Sequence, residues 1–518
     1  MAAPRIAFLP LLILPLFAQP QLDSVVQRAR SEFDVPGIAV AIVHEGKLVF
    51  AKGYGVSRLD TSAPVTPKTL FGVASNTKAF TAAALAILVD EGKLAWDDRV
   101  IDRLPSFQMS DPYVSREMRI RDLLIHNSGL ALGAGDLMYF PEGTLSEDEV
   151  YSRLRHVPLA TSFRSRYAYD NILYLVAGKV IEKVSGKTWA AFLRDRILDP
   201  IGMSRTVLSV KQLASRPDVA LPHAPGEDGK LLQLNHASMD NNAPAAAMQS
   251  SVEEMSLWVL LQLNEGELDG KRIFSARQSR EMWSMQTIIP VSTPPKPLAA
   301  LKANFAGYGL GWNLNDYRGE KIVSHTGGLF GMVSRVTMIP SKKLGVIVLT
   351  NQEAGAAFNA ITYTVLDHYL NAPPADWVAA QKQALDARKA DAAKKVAGEA
   401  AKRNAQSKPS LPLASYAGRY RDAWYGDIIV EESAGALRMR FTHSPSLNGT
   451  MEHFQYDTFI ARWGDRTMNA DAYVTFTLSS EGTIEQVKMK AVSPLTDFSF
   501  DFHHLDLKPV ARDAPPYD

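Results

Sequence analysis

The chain has 518 residues, 46% of them hydrophobic and 21% charged, which fits a globular protein of two or three domains and excludes a disordered or fibrous one. Its 56 lysines and arginines are balanced by 55 aspartates and glutamates, so neither nucleic acid nor an anionic membrane is an expected partner. There is no cysteine, which rules out disulfides, thiol nucleophiles and Cys-ligated metals together.

The first stretch, MAAPRIAFLPLLILPLFAQPQ, carries one early cation, Arg5, then an apolar run over 6–17 and the small Ala18. It reads as a secretory signal peptide spanning 1–18, with an uncleaved anchor as the alternative; the run is short for a membrane span. The mature protein is therefore expected to be exported, in the periplasm, with no membrane attachment once the signal is removed.

An amphipathic helix is predicted over 22–33, followed by two strand-like runs, GIAVAIVHEG and KLVFAKGYG, turning at Glu45-Gly46. From Ser75 the pattern changes to an alanine-rich helix that stops at Gly92. Helices and loops alternate to about Leu370, with apolar β-type runs at 321–326, 331–339 and 344–350 near the end. Strands at both ends and helices between predict one antiparallel sheet beside a helical lobe, an α+β domain over 22–371. Residues 372–412, rich in Ala and Lys, read as an exposed helix acting as a semi-rigid linker. Short alternating strands then predict a small antiparallel barrel over 413–510.

Three short patterns carry chemistry. In FGVASNTKAF, Ser75 and Lys78 lie three residues apart on one helix face. Apolar neighbours would desolvate the lysine and lower its pKa, making it a base for the serine hydroxyl; a helix cap with an unrelated lysine reads the same spacing equally well. In YAYDNILYLVAG, Tyr169 and Asn171 precede a helix and can both enter a cleft, or serve as a core aromatic and a cap. In KIVSHTGGLFGMVSRV, a strand reaches His325-Thr326-Gly327-Gly328, where glycines allow close approach or simply form a hairpin. The amides of Ser75 and Gly328 could together cradle an acyl-transfer oxyanion. The 11 histidines form no metal-ligand spacing, and neither metal nor cofactor is expected.

Ser75-x-x-Lys78, Tyr169-x-Asn171 and His325-Thr326-Gly327, in that order, resemble the penicillin-recognising serine hydrolases. The likeness is to the branch of class C β-lactamases, D-Ala-D-Ala carboxypeptidases, D-aminopeptidases and esterases. The stretches IRDLLIHNSGL, LDPIGMSRT and GYGLGW extend it over about 22–370. The resemblance implies that Ser75 is acylated, that Lys78 and Tyr169 relay the proton, and that Asn171 holds the substrate amide. It further implies that His325, Thr326 and Gly327 line the substrate pocket and that the Ser75 and Gly328 amides form the oxyanion hole. The barrel pieces YAGRY, WYGDIIV and YDTFIARW resemble a lipocalin-like module, either packed shut or lending a loop to the cleft.

Two departures matter. His325 stands where class C β-lactamases have lysine, and TSFRSRYAYDN lacks the Pro-Gly turn common before Tyr-x-Asn. Leu137, Met138, Tyr139 and Phe140 are expected either as a pocket wall or as core. The leading expectation is an exported hydrolase of an amide bond in a peptide or peptidoglycan-like substrate, with D-aminopeptidase, carboxypeptidase and linearised-microcystin peptidase as models. A carboxylesterase, or a weak β-lactamase, is the alternative on the same site. A catalytically silent penicillin-binding sensor or scaffold is the alternative of another class. The oligomeric state is left open.

Overall fold

Glu45 and Gly46 both have positive φ, 48° and 77°, the pair of left-handed residues that a tight hairpin turn requires. They join β1 (Gly37–His44) to β2 (Lys47–Gly55), and α1 (Gln19–Glu32) precedes them. A computed structural model describes residues 19–511, 513–515 and 517; the expected signal peptide over 1–18 lies outside the described residues. Among the described residues no helix is long and apolar enough to cross a membrane.

The chain then enters the helical lobe through α2 (Thr77–Asp90), α3 (Ile172–Ser185) and α4 (Val252–Leu263). α2 is buried on every face from Thr77 to Leu88, which is why its sequence is alanine-rich and carries no charge there except Lys78. The chain returns as β3 (Thr287–Ile288), β4 (Ala306–Tyr308), β5 (Asn313–Tyr317), β6 (Glu320–Leu329), β7 (Met332–Ile339) and β8 (Leu344–Thr350). The eight strands form one sheet in the order β2-β1-β8-β7-β6-β5-β4-β3. The sheet is thus closed by both ends of the domain, as the sequence predicts, and β3 to β5 extend it beyond the three later runs.

α5 (Gly355–Tyr369) and α1 cover one face, and α6 (Trp377–Ala401) packs on them. The exposed-linker expectation for 372–412 is corrected in its first turns. Trp377 and Val378 are buried with the α1 and α5 core, and the Trp377 indole donates to Asp367 Oδ2 at 2.8 Å. Later turns of α6 are mostly exposed, as their Lys-rich composition dictates.

The C-terminal strands run from β9 (Gly418–Asp422) through β15 (Ile484–Ala491) as a meander, and β16 (Lys508–Val510) pairs back on β9. A bridge between Val487 and Leu507 nearly completes the circle, giving an almost closed barrel. Tyr416, Tyr420, Phe459 and Phe476 fill part of its interior in edge-on contacts.

Candidate active site

The turn before α2 is shaped by Ala74, a non-glycine residue at φ 49°. That conformation is costly for an alanine and persists because its surroundings fix it: Ala74 is fully buried. It throws Ser75 into a short 3-10 turn, Ala74–Asn76, half-exposed at the mouth of α2. Ser75 is not the helix cap, which removes the capping alternative. Asn76 holds that position, and its amide is spent on Ser334 Oγ at 2.8 Å.

Lys78 points back along the helix to the serine. Its Nζ lies 2.9 Å from Ser75 Oγ and donates to Asn171 Oδ1 at 2.7 Å and to the Ala245 carbonyl at 3.1 Å. The side chain is wholly buried. Burial pushes its pKa down to about 7, against the opposing pull of Asp136 and Asp170. The rings of Tyr169 and Tyr174 stand 5.0 and 5.1 Å from the nitrogen. Burial also raises the Tyr169 phenol well above its ordinary value, with a hydrogen bond to the Ser75 side chain opposing. Tyr169 therefore stays protonated near neutral pH and offers an O–H rather than a phenolate.

Asn171 directs both ends of its amide inward. Oδ1 takes the lysine, and Nδ2 donates to Asp136 Oδ2 at 2.9 Å. In this arrangement it orients Lys78, with one of the two Nδ2 hydrogens committed to Asp136. Asp136 also accepts from the Tyr139 hydroxyl and from Ser499 Oγ at 2.8 Å. Its burial raises its pKa to about 8, with neighbouring Asp501 adding to the rise. Asp170 accepts from Ser128 Oγ at 3.1 Å and is raised by burial to about 7. Its backbone N–H donates to His126 Nδ1 at 3.2 Å, and the His126 ring packs 4.2 Å from that of Tyr169.

The far wall is β6. Its pairing with β5 ends at Ser324, whereas its pairing with β7 continues to Leu329. From His325 onward one side of the strand is left without a β partner and faces the cleft. Of the two readings of the glycines, close approach holds and the hairpin does not: β6 is interior over its first half, and Phe330-Gly331 makes the turn. Gly327 is required by contact, since a Cβ there would lie 2.1 Å from the Val73 carbonyl oxygen and 2.9 Å from Ala74 Cβ. The same close approach brings the strand against the Ser75 turn. A Cβ on Gly328 would meet nothing within 4 Å, so that residue opens onto the cleft.

His325 is 2% exposed. Its Nδ1 lies 2.6 Å from the Thr326 carbonyl, which can only accept, so Nδ1 carries the proton and Nε2 accepts from the Tyr308 hydroxyl at 2.7 Å. Burial and nearby Lys78 push its pKa down to about 3. It lines the cleft as a neutral ring, and supplies no positive charge for a substrate carboxylate. Thr326 is exposed beside it.

These residues surround a cleft of about 290 Å³ that includes Ser75, Tyr169, Asn171, His325, Thr326 and Gly328 in its lining. Tyr139 and Phe140 line it too, whereas Leu137 and Met138 lie fully buried beneath, so the apolar stretch divides between wall and core. Asp497, Phe498 and Ser499 of the barrel domain complete the rim: the barrel does lend a loop. Among the described residues the lining contains an acid, Asp497, and no lysine or arginine. Sequence reasoning gave no role to Asp136, Asp170 or Tyr308 and did not say which barrel loop reaches the cleft; His126 and Tyr308 sit inside the supporting stretches IRDLLIHNSGL and GYGLGW without an assigned role.

A family model described as Beta-lactamase matches residues 22–370, and the chain belongs to that family, whose members are generally serine hydrolases of the β-lactamase/transpeptidase fold. A second, described as a domain of unknown function (DUF3471), matches residues 402–509. The chain is 28% identical over 474 residues to unguisins hydrolase ungD of Aspergillus violaceofuscus, covering 84% of this chain and 81% of that one. It is 27% identical over 344 residues to protein flp of Staphylococcus aureus, covering 64% of this chain and 63% of the other. The solved octameric penicillin-binding protein homologue from Pyrococcus abyssi is similar in fold, with a TM-score of 0.62 at 22% identity over 92% of this chain and 98% of the other.

Proposed function

We propose that the protein is an exported serine hydrolase that cleaves an amide bond in a peptide or peptidoglycan-like substrate through an acyl-enzyme on Ser75. The observation that carries this reading is the 2.9 Å contact between Ser75 Oγ and a fully buried lysine amine at the mouth of the cleft. Neutral Lys78 takes the proton as Oγ attacks the carbonyl carbon. The oxyanion lies between the Ser75 and Gly328 amides, and the Tyr169 hydroxyl hands a proton to the departing amine and takes one back from the Lys78 ammonium, which restores both groups. Water then clears the ester.

The bare side of β6 beyond Ser324 supports a peptide, because an extended backbone can pair there as an added strand. The neutral His325 and a lining without lysine or arginine give a substrate carboxylate no cation to pair with, which counts against β-lactams and carboxypeptidase substrates. They favour an aminopeptidase or an oligopeptidase. The export part of this reading rests on the composition of residues 1–18 alone. A relative named as a hydrolase supports turnover over a silent scaffold.

The test compares D-alanyl peptides, a linear hydrophobic peptide, nitrocefin and a butyrate ester on the wild type and Ser75→Ala. Peptide turnover lost in Ser75→Ala is expected. Ester turnover far above every peptide would make the protein an esterase, and a folded protein whose Ser75 fails to label with a fluorophosphonate would make it a scaffold.

A further inference from the structure

The loop from the barrel does more than border the cleft. Ser499, 6% exposed, donates its hydroxyl to Asp136 Oδ2 at 2.8 Å. Two residues on, Asp501 is fully buried, and its carboxylate accepts from Gly135 N at 2.8 Å and Leu137 N at 3.1 Å. Those amides flank Asp136, so the barrel grips both the side chain and the backbone of one turn in the hydrolase domain. Asp136 in turn accepts from Asn171 Nδ2, whose other end holds Lys78. An unbroken line of hydrogen bonds runs from the barrel to the amine beside Ser75.

We propose that Asp136, Ser499 and Asp501 are positioning residues for the Ser75–Lys78 pair, and that the C-terminal barrel is thereby a structural part of the active site rather than an appendage. This rests on Ser75 being the nucleophile. The sheet and lobe hold Lys78 directly, through Ser75, Asn171 and Ala245, and the barrel acts on Asn171 by way of Asp136. The barrel fixes which way Asn171 faces, since the Asp136 oxygen that takes the amide's N–H is the one held by the Ser499 hydroxyl. The arrangement works as outer hydrogen-bond partners generally do, by locking the orientation of the group that touches the reacting atoms.

Asp136, whose carboxyl burial raises to about 8, bears on Lys78 through the share of it that is ionised. The groups facing this pair are Tyr139 on the same turn, Asp170 and Tyr169 ahead of α3, His126, His325 from β6, and Asp501 with His504 from the barrel. The Ser499 hydroxyl favours the anionic form of Asp136, and anionic Asp136 favours the protonated form of Lys78. Losing either makes the lysine release its proton at lower pH.

The experiment follows fluorophosphonate labelling of Ser75 in the full-length protein across the pH range, with circular dichroism on every variant. Ser499→Ala is expected to slow labelling about tenfold and Asp136→Asn more, both moving the acid midpoint to lower pH. Ser499→Thr, which keeps the hydroxyl, should restore much of the rate. Ser444→Ala is the control: Ser444 Oγ donates to the Leu137 carbonyl at 3.1 Å, a barrel contact on the same turn that does not reach Asp136. It should leave the midpoint in place. Unchanged labelling in Ser499→Ala and Asp136→Asn, or an equal slowing in Ser444→Ala with no shift of midpoint in any variant, would overturn the proposal while leaving the nucleophile intact. A folded wild type that does not label overturns both.

Discussion

Both domains are built on eight antiparallel strands, and they treat strand edges oppositely. The barrel brings β16 back to β9 and bridges Val487 to Leu507, leaving few main-chain groups without a partner. The hydrolase sheet stops β5 opposite Ser324 and leaves the following five residues of β6 bare on that side. The burial differs in the same way. The barrel interior is aromatic, whereas the cleft buries Lys78, Asp136, Asp170 and His325, groups whose charged forms burial disfavours. Reactive chemistry gathers where backbone and charge are left incompletely satisfied, and the closed domain takes part only through the loop over 497–501.

Substitutions can break that contrast in graded steps. Ser75→Ala and Lys78→Ala should each remove turnover by about a thousandfold or more, read as kcat on whichever substrate the panel identifies. Gly327→Ala is expected to cost about a hundredfold, because its new Cβ would collide with the Val73 carbonyl and push β6 off the nucleophile turn. Tyr169→Phe should cost about tenfold, since the proton donor is lost while Lys78 still serves as base. Gly328→Ala, with open space around the added methyl, should change kcat least, about threefold, and raise KM instead. If Gly327→Ala and Gly328→Ala prove equal, the close packing of β6 on the Ser75 turn is not what holds the site together.

Much of this was legible in the sequence, for identifiable reasons. The hairpin at Glu45-Gly46, the buried alanine helix and the order of Ser75, Tyr169 and His325 are local patterns, and the structure brings those residues to one cleft. What could not be read is long-range. Asp136 meets Ser499 from 363 positions away, and nothing in either neighbourhood marks the partner. β3 has only two residues, too few for any alternation to register. The occupation of both His325 nitrogens depends on Tyr308 lying across from it, so the motif alone left the ring's charge undetermined. Trp377 looked like the start of a linker because its binding face, Asp367 and the α1–α5 layer, belongs to other parts of the chain.

The central claim is that Lys78 can stand beside Ser75 as a neutral amine. A heteronuclear NMR titration of the Lys78 side chain in the full-length protein, assigned with Lys78→Arg, measures this directly. Burial predicts a midpoint of about 7, with the neutral form, and hence the base, gained as pH rises through it. A midpoint at the ordinary lysine value of 10.5 would mean an ammonium at neutral pH, and the account of Ser75 activation would fail.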